Sequence, residues 1–288
     1  MYISQTVPTD FVQLYVMFGE VTIGQYTKML PCCYMLLPAK SLDVYQRILQ
    51  VLVGEVSATP DSIGIDFEQA MLSAIRAKLP NEVVVEGCNF HWKSAIFKNV
   101  GTKGCLSLFH ENEQFQIGLD LIYQLCMVPA ADVVLAWETV ILGFFEEHFP
   151  DNETVDGFLL YIERTYDGKM NQRTNSRRQP MFPHEMFSIY DRVVQERGTT
   201  NNGLESWNAR WNNSMGTNHN IWRVISGFKN EDALAKSKHQ EMLAGRCVEQ
   251  NPSRKDRQSA RMRMLKSAMD GYNRDNIKEY MYGLREDV

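Results

Sequence analysis

The period of the hydrophobic pattern changes near Gly104, and no other feature restricts the choice of fold as much. Before that point strand-like and helix-like segments alternate, the signature of an α/β domain and not of a helical bundle. FVQLYVMFG (11–19) and MLPCCYMLL (29–37) read as strands, with turn-prone residues around Gly24 between them. Ser41 is placed to cap an amphipathic helix that reaches Val53 through Val44, Ile48, Leu49 and Leu52. IGID (63–66) is a short strand ending in an acid. The helix after it carries Ala70, Met71, Ala74, Ile75 and Leu79 and must stop before Pro80. VVVEGC (83–88) is the next strand, with a helix from Phe90 to Asn99 behind it.

Beyond Gly104, helical periods cover 112–127, 131–148 and 153–166 and read as an all-helical insertion. Residues 167–182 are polar, basic and contain Pro180, so a linker or mobile loop is expected there. From Asn202 onward helices return, in LESWNARWN, NIWRVISGFK and a charged tail. The division expected is thus 1–105 as the first part of an α/β core, 106–182 as insertion and basic loop, 183–250 as the region completing the core, and 251–288 as a basic helical tail.

With 288 residues, 44% of them hydrophobic, the chain can bury one large core or two modest ones. No stretch approaches the roughly 18 to 20 unbroken apolar residues of a membrane helix, and no secretory leader pattern opens the chain. An intracellular protein with no membrane partner is expected. Six cysteines, with only Cys32 and Cys33 adjacent and no Cys-x-x-Cys pair, do not form a secreted disulfide framework. The net charge of −5 excludes a uniformly basic nucleic-acid binder, but basic residues cluster. One group is Arg254, Lys255, Arg257 and the run on to Lys266; another holds Arg164, Lys169, Arg173, Arg177 and Arg178. Either group suits phosphate binding or an ordinary solvated face.

Asp66 ends a strand, and the carboxyl ends of strands are where α/β sheets place ligand sites. It also suits the start of the next helix, where it would complement the dipole, and Glu68 has the same two readings: metal support or first-turn stabiliser. Cys88 and His91 form Cys-x-x-His across a strand-to-helix junction, a spacing that suits a shared metal or a buried hydrogen-bonded pair. Two ligands are short of the roughly four that structural zinc needs. His110, His148, His184 and His219 stand alone. In TTNNGLESWNARWNN (199–213), helical spacing puts Glu205, Asn208 and Asn212 on a polar stripe and Leu204, Trp207 and Trp211 on an apolar one. Glu205 is then either a carboxylate held toward a site or, with Asn202 as N-cap, half of a capping box.

Together VPTDFVQLY (7–15), DFEQAMLSAI (66–75), CNFHW (88–92), TTNNGLESWNARWN and HNIWRVISGFKNE (219–231) resemble the Mutator-like element (MULE) transposases in order and spacing, from about residue 5 to 235. The resemblance implies a ribonuclease-H-like mixed sheet with a large helical insertion ahead of the last catalytic helix, and a helical C-terminal part. It implies that Asp66 is the second catalytic Asp, Glu205 the catalytic Glu, and Cys88 with His91 the family's Cys-x-x-His element. Asn202 and Asn208 would support that site. It further implies Mg²⁺ or Mn²⁺ held by Asp66, Glu205 and Glu68, DNA as substrate, multimeric action and a nuclear location.

One departure changes what is expected. Relatives carry Asp-Gly-Thr-Phe directly before the Val-Pro segment, where this sequence reads MYISQTVP, so the first catalytic Asp has no counterpart and Asp10 lies on the far side of the Val-Pro pair. The expectation is a transposase-derived chain with little or no strand cleavage. A domesticated DNA-binding or chromatin-associated protein is the alternative, and an active nuclease with an earlier start is a third.

Overall fold

The computed structural model describes residues 2–3, 7–55, 59–171, 173–174, 176–195, 197, 202–216, 220–246 and 252–287, with the side chains of 2, 3, 202, 203, 205, 252–258, 261 and 285–287 excepted. Along the chain these form β1 (Tyr2–Ile3), β2 (Gln13–Ile23), β3 (Tyr26–Leu37), α1 (Leu42–Glu55), β4 (Ser62–Ile65), α2 (Gln69–Lys78), β5 (Val84–Gly87) and α3 (Asn89–Thr102). Then come α4 (Leu106–Glu111), α5 (Glu113–Gln124), α6 (Val133–Ala136), α7 (Leu142–His148), α8 (Glu153–Ile162), β6 (Met170–Asn171), β7 (Ser176–Arg177), α9 (His184–Phe187) and α10 (Tyr190–Val194). The rest is helix: α11 (Asn202–Met215), α12 (Ile221–Leu243), α13 (Pro252–Asp270) and α14 (Ile277–Asp287). The protein is mixed α/β, mostly helical, with three small sheets among the described residues.

Contacts divide it into two compact units that cut across the segments expected from sequence. The first comprises Met1–Asp61, Ala70–Val83 and Asn201–Pro252. Its sheet is the antiparallel series β1-β2-β3. Ile23 pairs with Tyr26, so the loop is Gly24 and Gln25, and Gly24 takes φ 58, a value that suits glycine at the first position of a two-residue hairpin loop. Met17 pairs with Cys33 but Phe18 with Pro31, which leaves Cys32 as the extra residue of a bulge. Pro31 cannot donate to the ladder; it is tolerated on β3, the outer strand of the sheet, beside that bulge.

The core of this unit is Leu14, Val16, Trp207, Trp211, Met215 and Val224, with Phe18, Tyr34, Leu36 and Phe228 against it. Period two on β2 and period 3.6 on α11 supply these side chains to one layer. The indoles of Trp207 and Trp211 stack at 5.3 Å, and Phe228 stacks at 5.4 Å on Trp211 and at 4.8 Å on Tyr34. Helix α12 comes this close because residue 227 is glycine: a Cβ there would lie 2.8 Å from the Trp211 ring.

The second unit comprises Ser62–Gln69, Val84–Thr200 and Ser253–Val288. Strands β4 and β5 pair in parallel, Ile65 opposite Gly87, and α9 packs on β5. A helical layer follows, with Trp92, Ile96, Phe115, Leu119, Trp137, Phe145, Phe158 and Phe187 fully buried. As the sequence implied, 106–166 is helical throughout most of its length, with π-helical turns at Trp137–Ile141 and Glu163–Asp167.

Within residues 167–182, β6 and β7 pair antiparallel, and the stretch is tied to the helical layer by Phe182 N–H to Thr165 O at 3.0 Å and by the stacked, buried rings of Tyr166 and Phe182. The polar composition concealed this because the anchor is itself charged: Arg177 pairs with the buried Asp167 and with Glu138. Gly168, at φ 95, brings its backbone so near Arg178 O that a Cβ would lie 2.1 Å from it.

Candidate functional site

Two parallel strands end side by side, and the residues directly beyond them are those with chemical potential. After Ile65 the chain enters Asp66; after Gly87 it enters Cys88, whose backbone N–H continues the ladder to Ile65 O at 3.2 Å. Helix α3 then begins at Asn89 and its first turn delivers His91. The imidazole Nδ1 of His91 lies 3.1 Å from Asp66 Oδ1, with both side chains about one-third exposed. The carboxylate and the imidazole thus meet as a close polar contact at the strand end.

Three surrounding features position this pair. Phe67, between Asp66 and Glu68, packs edge-on against Tyr166 at 6.0 Å and Phe182 at 5.2 Å, which pins the turn that carries both acids. Gly87 makes room for that ring: a Cβ there would come 2.4 Å from Phe67 and 2.9 Å from Met186 O. Arg192 is buried beneath the strand end and donates from Nη1 to Gly87 O at 3.0 Å and from Nη2 to Ser188 O at 3.4 Å. Burial pulls its pKa down from the usual arginine range, while Glu86 opposes the shift; Glu86 itself pairs with Arg197.

The structure therefore brings Asp66 and His91 into contact and sets Cys88, which is buried, at the same strand end. Glu68 follows one residue after Phe67 and directly precedes α2, so it occupies the entrance to that helix. Asn208 is half-buried on α11, where Trp207 and Trp211 are buried and Asn212 exposed, the two stripes expected from spacing. The side chains of Asn202, Glu205, Arg254, Lys255 and Arg257, and all of His219, lie outside the described residues. Arg173 and Arg178 are exposed on the hairpin together with Lys169, whereas Arg177 is turned inward to its two carboxylates. His184, assigned no chemistry from sequence, sets Nε2 3.1 Å from Asp167 O, and burial lowers its pKa.

Among the described residues no three His, Cys, Asp or Glu side chains group as a metal would require. Asp66 and Glu68 offer oxygen, which Mg²⁺ and Mn²⁺ prefer, and His91 offers nitrogen. The described side chains do not complete a ligand set for either ion.

Two functional-looking residues escaped the sequence reading. Glu231, buried on α12, accepts from Trp207 Nε1 at 2.6 Å and from Arg210 Nη2 at 2.6 Å. Its position, seven residues after Val224 and three after Phe228, puts a carboxylate on an apolar stripe, which was a legible signal. Arg192 likewise follows the buried Ile189 by three residues.

In comparisons with known proteins the chain matches no family model, no curated protein and no solved structure. No helix among the described residues is long and apolar enough to cross a membrane.

Proposed function

We propose that the chain is a MULE-type transposase derivative with a ribonuclease-H-like core, which binds DNA near the strand end at Asp66 and cuts it little or not at all. The observation that carries this reading is the contact of Asp66 with His91 at the carboxyl ends of two parallel strands. Two separate pieces of the resemblance, the second acid and the His of the Cys-x-x-His element, are in contact here. Among the described residues β1-β2-β3 and β4-β5 are separate sheets, one antiparallel and one parallel, and helices fill the span where the resemblance expects an insertion. Weak cleavage follows from the donors at this strand end: a carboxylate already turned to an imidazole nitrogen is a poor start for an all-oxygen Mg²⁺ set. Nuclear location and multimeric action belong to the same proposal and rest on the resemblance.

DNA binding without catalysis, as in a domesticated chromatin protein, is favoured by a separate observation, the exposure of Lys169, Arg173 and Arg178 along one hairpin. One experiment tests both readings. Duplex DNA is titrated into the full chain over a range of salt, and nicking is followed with Mg²⁺ or Mn²⁺. The expected result is affinity that falls steeply with salt, weakens in Arg173→Ala/Arg178→Ala, and comes with negligible nicking. Salt-insensitive binding or none refutes the DNA reading; efficient nicking abolished by Asp66→Asn and Glu205→Gln refutes the non-cleaving part.

A further inference from the structure

The helical layer of the second unit is far more acidic than the chain as a whole. Between residues 106 and 166 there are eleven Asp or Glu against one Lys or Arg, Arg164, while the full chain has a net charge of only −5. Such a face repels phosphate, so it is not where DNA would lie.

Within that layer is a cavity of about 440 Å³, a volume in the range that takes a bound side chain or ligand. Trp137, Phe145, Phe149 and Leu159 form its apolar floor. Glu146, Asp151, Asp156 and Glu163 stand on its lining as well, and no basic side chain does. Glu146, Asp151 and Asp156 are exposed, so their charges face solvent and any incoming partner.

Trp137 supplies a second observation, separate from the charge. It is 1% exposed, it opens the π-helical turn Trp137–Ile141, and its Nε1 has no hydrogen-bond partner among the described residues. π-Helical turns are often found at functional sites.

From the apolar floor and the acidic rim we infer that this cavity is a docking groove for a short basic amphipathic segment of a partner protein. The segment's apolar side chain enters over Trp137 and Phe145, and its Lys or Arg side chains meet Glu146, Asp151, Asp156 and Glu163. Charge complementarity selects the partner: an apolar cleft alone would take any greasy segment, whereas four carboxylates admit a basic one and reject an acidic one. The inference stands apart from the DNA reading and survives its failure.

The test uses the full chain and a fluorescent amphipathic Leu/Lys helical peptide as probe, followed by anisotropy. The expected result is saturable binding that weakens as salt rises, with no binding of the Leu/Glu counterpart. Glu146→Lys with Asp156→Lys lowers affinity about tenfold or more, while Glu111→Lys with Glu113→Lys, exposed acids of the same layer away from the cavity, leaves it within about twofold. Should the reversal variant melt early, the isosteric Glu146→Gln with Asp156→Asn gives the same direction with a smaller loss. Equal losses from the two reversals, equal binding of the Leu/Glu peptide, or self-association of the chain through this face would each overturn the inference.

Discussion

Removing Glu231 isolates what holds α11 onto α12. The carboxylate is 7% exposed and receives two donors of different standing: Trp207 Nε1, belonging to an indole 4% exposed, and Arg210 Nη2, on a side chain 45% exposed. In Glu231→Ala the indole N–H stays buried without an acceptor, which costs about 1 to 3 kcal/mol. The guanidinium can turn to water, so its loss adds at most about 1 kcal/mol. The sum is about 1 to 4 kcal/mol, and at about 2 to 4 °C per kcal/mol for a chain of this class the melting midpoint should fall by roughly 2 to 16 °C. Glu231→Gln keeps an acceptor for the indole and should cost about 1 kcal/mol, and Arg210→Ala about 1 kcal/mol or less. Thermal melts followed by circular dichroism rank the three. If Arg210→Ala proves as costly as Glu231→Ala, or Glu231→Gln no better than Glu231→Ala, the ion pair and not the indole bond holds the helices, and the reasoning fails.

Three further outcomes are expected. Burial pushes the pKa of the Asp167 carboxyl up to about 8, so in Arg177→Ala it takes a proton and the loss is of hydrogen bonds, about 1 to 3 kcal/mol, while Arg173→Ala and Arg178→Ala stay within about 0.5 kcal/mol in denaturant melts; equal costs would show that Arg177 is not an anchor. Gly87→Ala forces a methyl into Phe67 and the Met186 carbonyl, so a loss of about 1 to 3 kcal/mol is expected by urea titration, and a neutral result would contradict the packing around the Asp66 turn. The third outcome concerns pH. Burial holds the His184 imidazole below its ordinary pKa, so the unfolded chain binds that proton more readily and stability falls as pH drops below about 6.5. His184→Gln should lose this part of the acid sensitivity; a wild-type and variant difference in melting temperature that is flat from neutral pH to pH 5 would remove the basis for it.

Local chemistry was legible where one stretch of sequence sufficed. Gly24 marked a hairpin because only a residue free at positive φ suits that loop, and the strands on either side ran longer than expected because Thr22 and Thr27, polar and exposed, still complete the ladder. Trp207 and Trp211 declared the buried face of α11 by spacing alone. Asp66 was singled out by its place at a strand end, but its neighbour was not: His91 reaches it only because β4 and β5 pair in parallel, a non-local fact. The short β6-β7 pairing and its Asp167–Arg177 anchor were not legible, because a buried Asp and an Arg ten residues on have no periodic signature. Glu231 was overlooked for the opposite reason, since a carboxylate inside an apolar stripe looks like an interruption until Trp207 supplies a donor.

The central claim is that DNA lies against the strand end bearing Asp66, and electrostatics tests it without any cleavage. With a chelator present, the Asp66 carboxylate repels a nearby phosphate, so Asp66→Asn should bind duplex DNA about two- to fivefold more tightly than the wild-type chain at low salt, the gain shrinking as salt screens it. Glu153→Gln, which removes one exposed charge from the helical layer, should change affinity by far less. Identical affinities for wild type and Asp66→Asn, or an equal gain from Glu153→Gln, would place the DNA elsewhere and contradict the account.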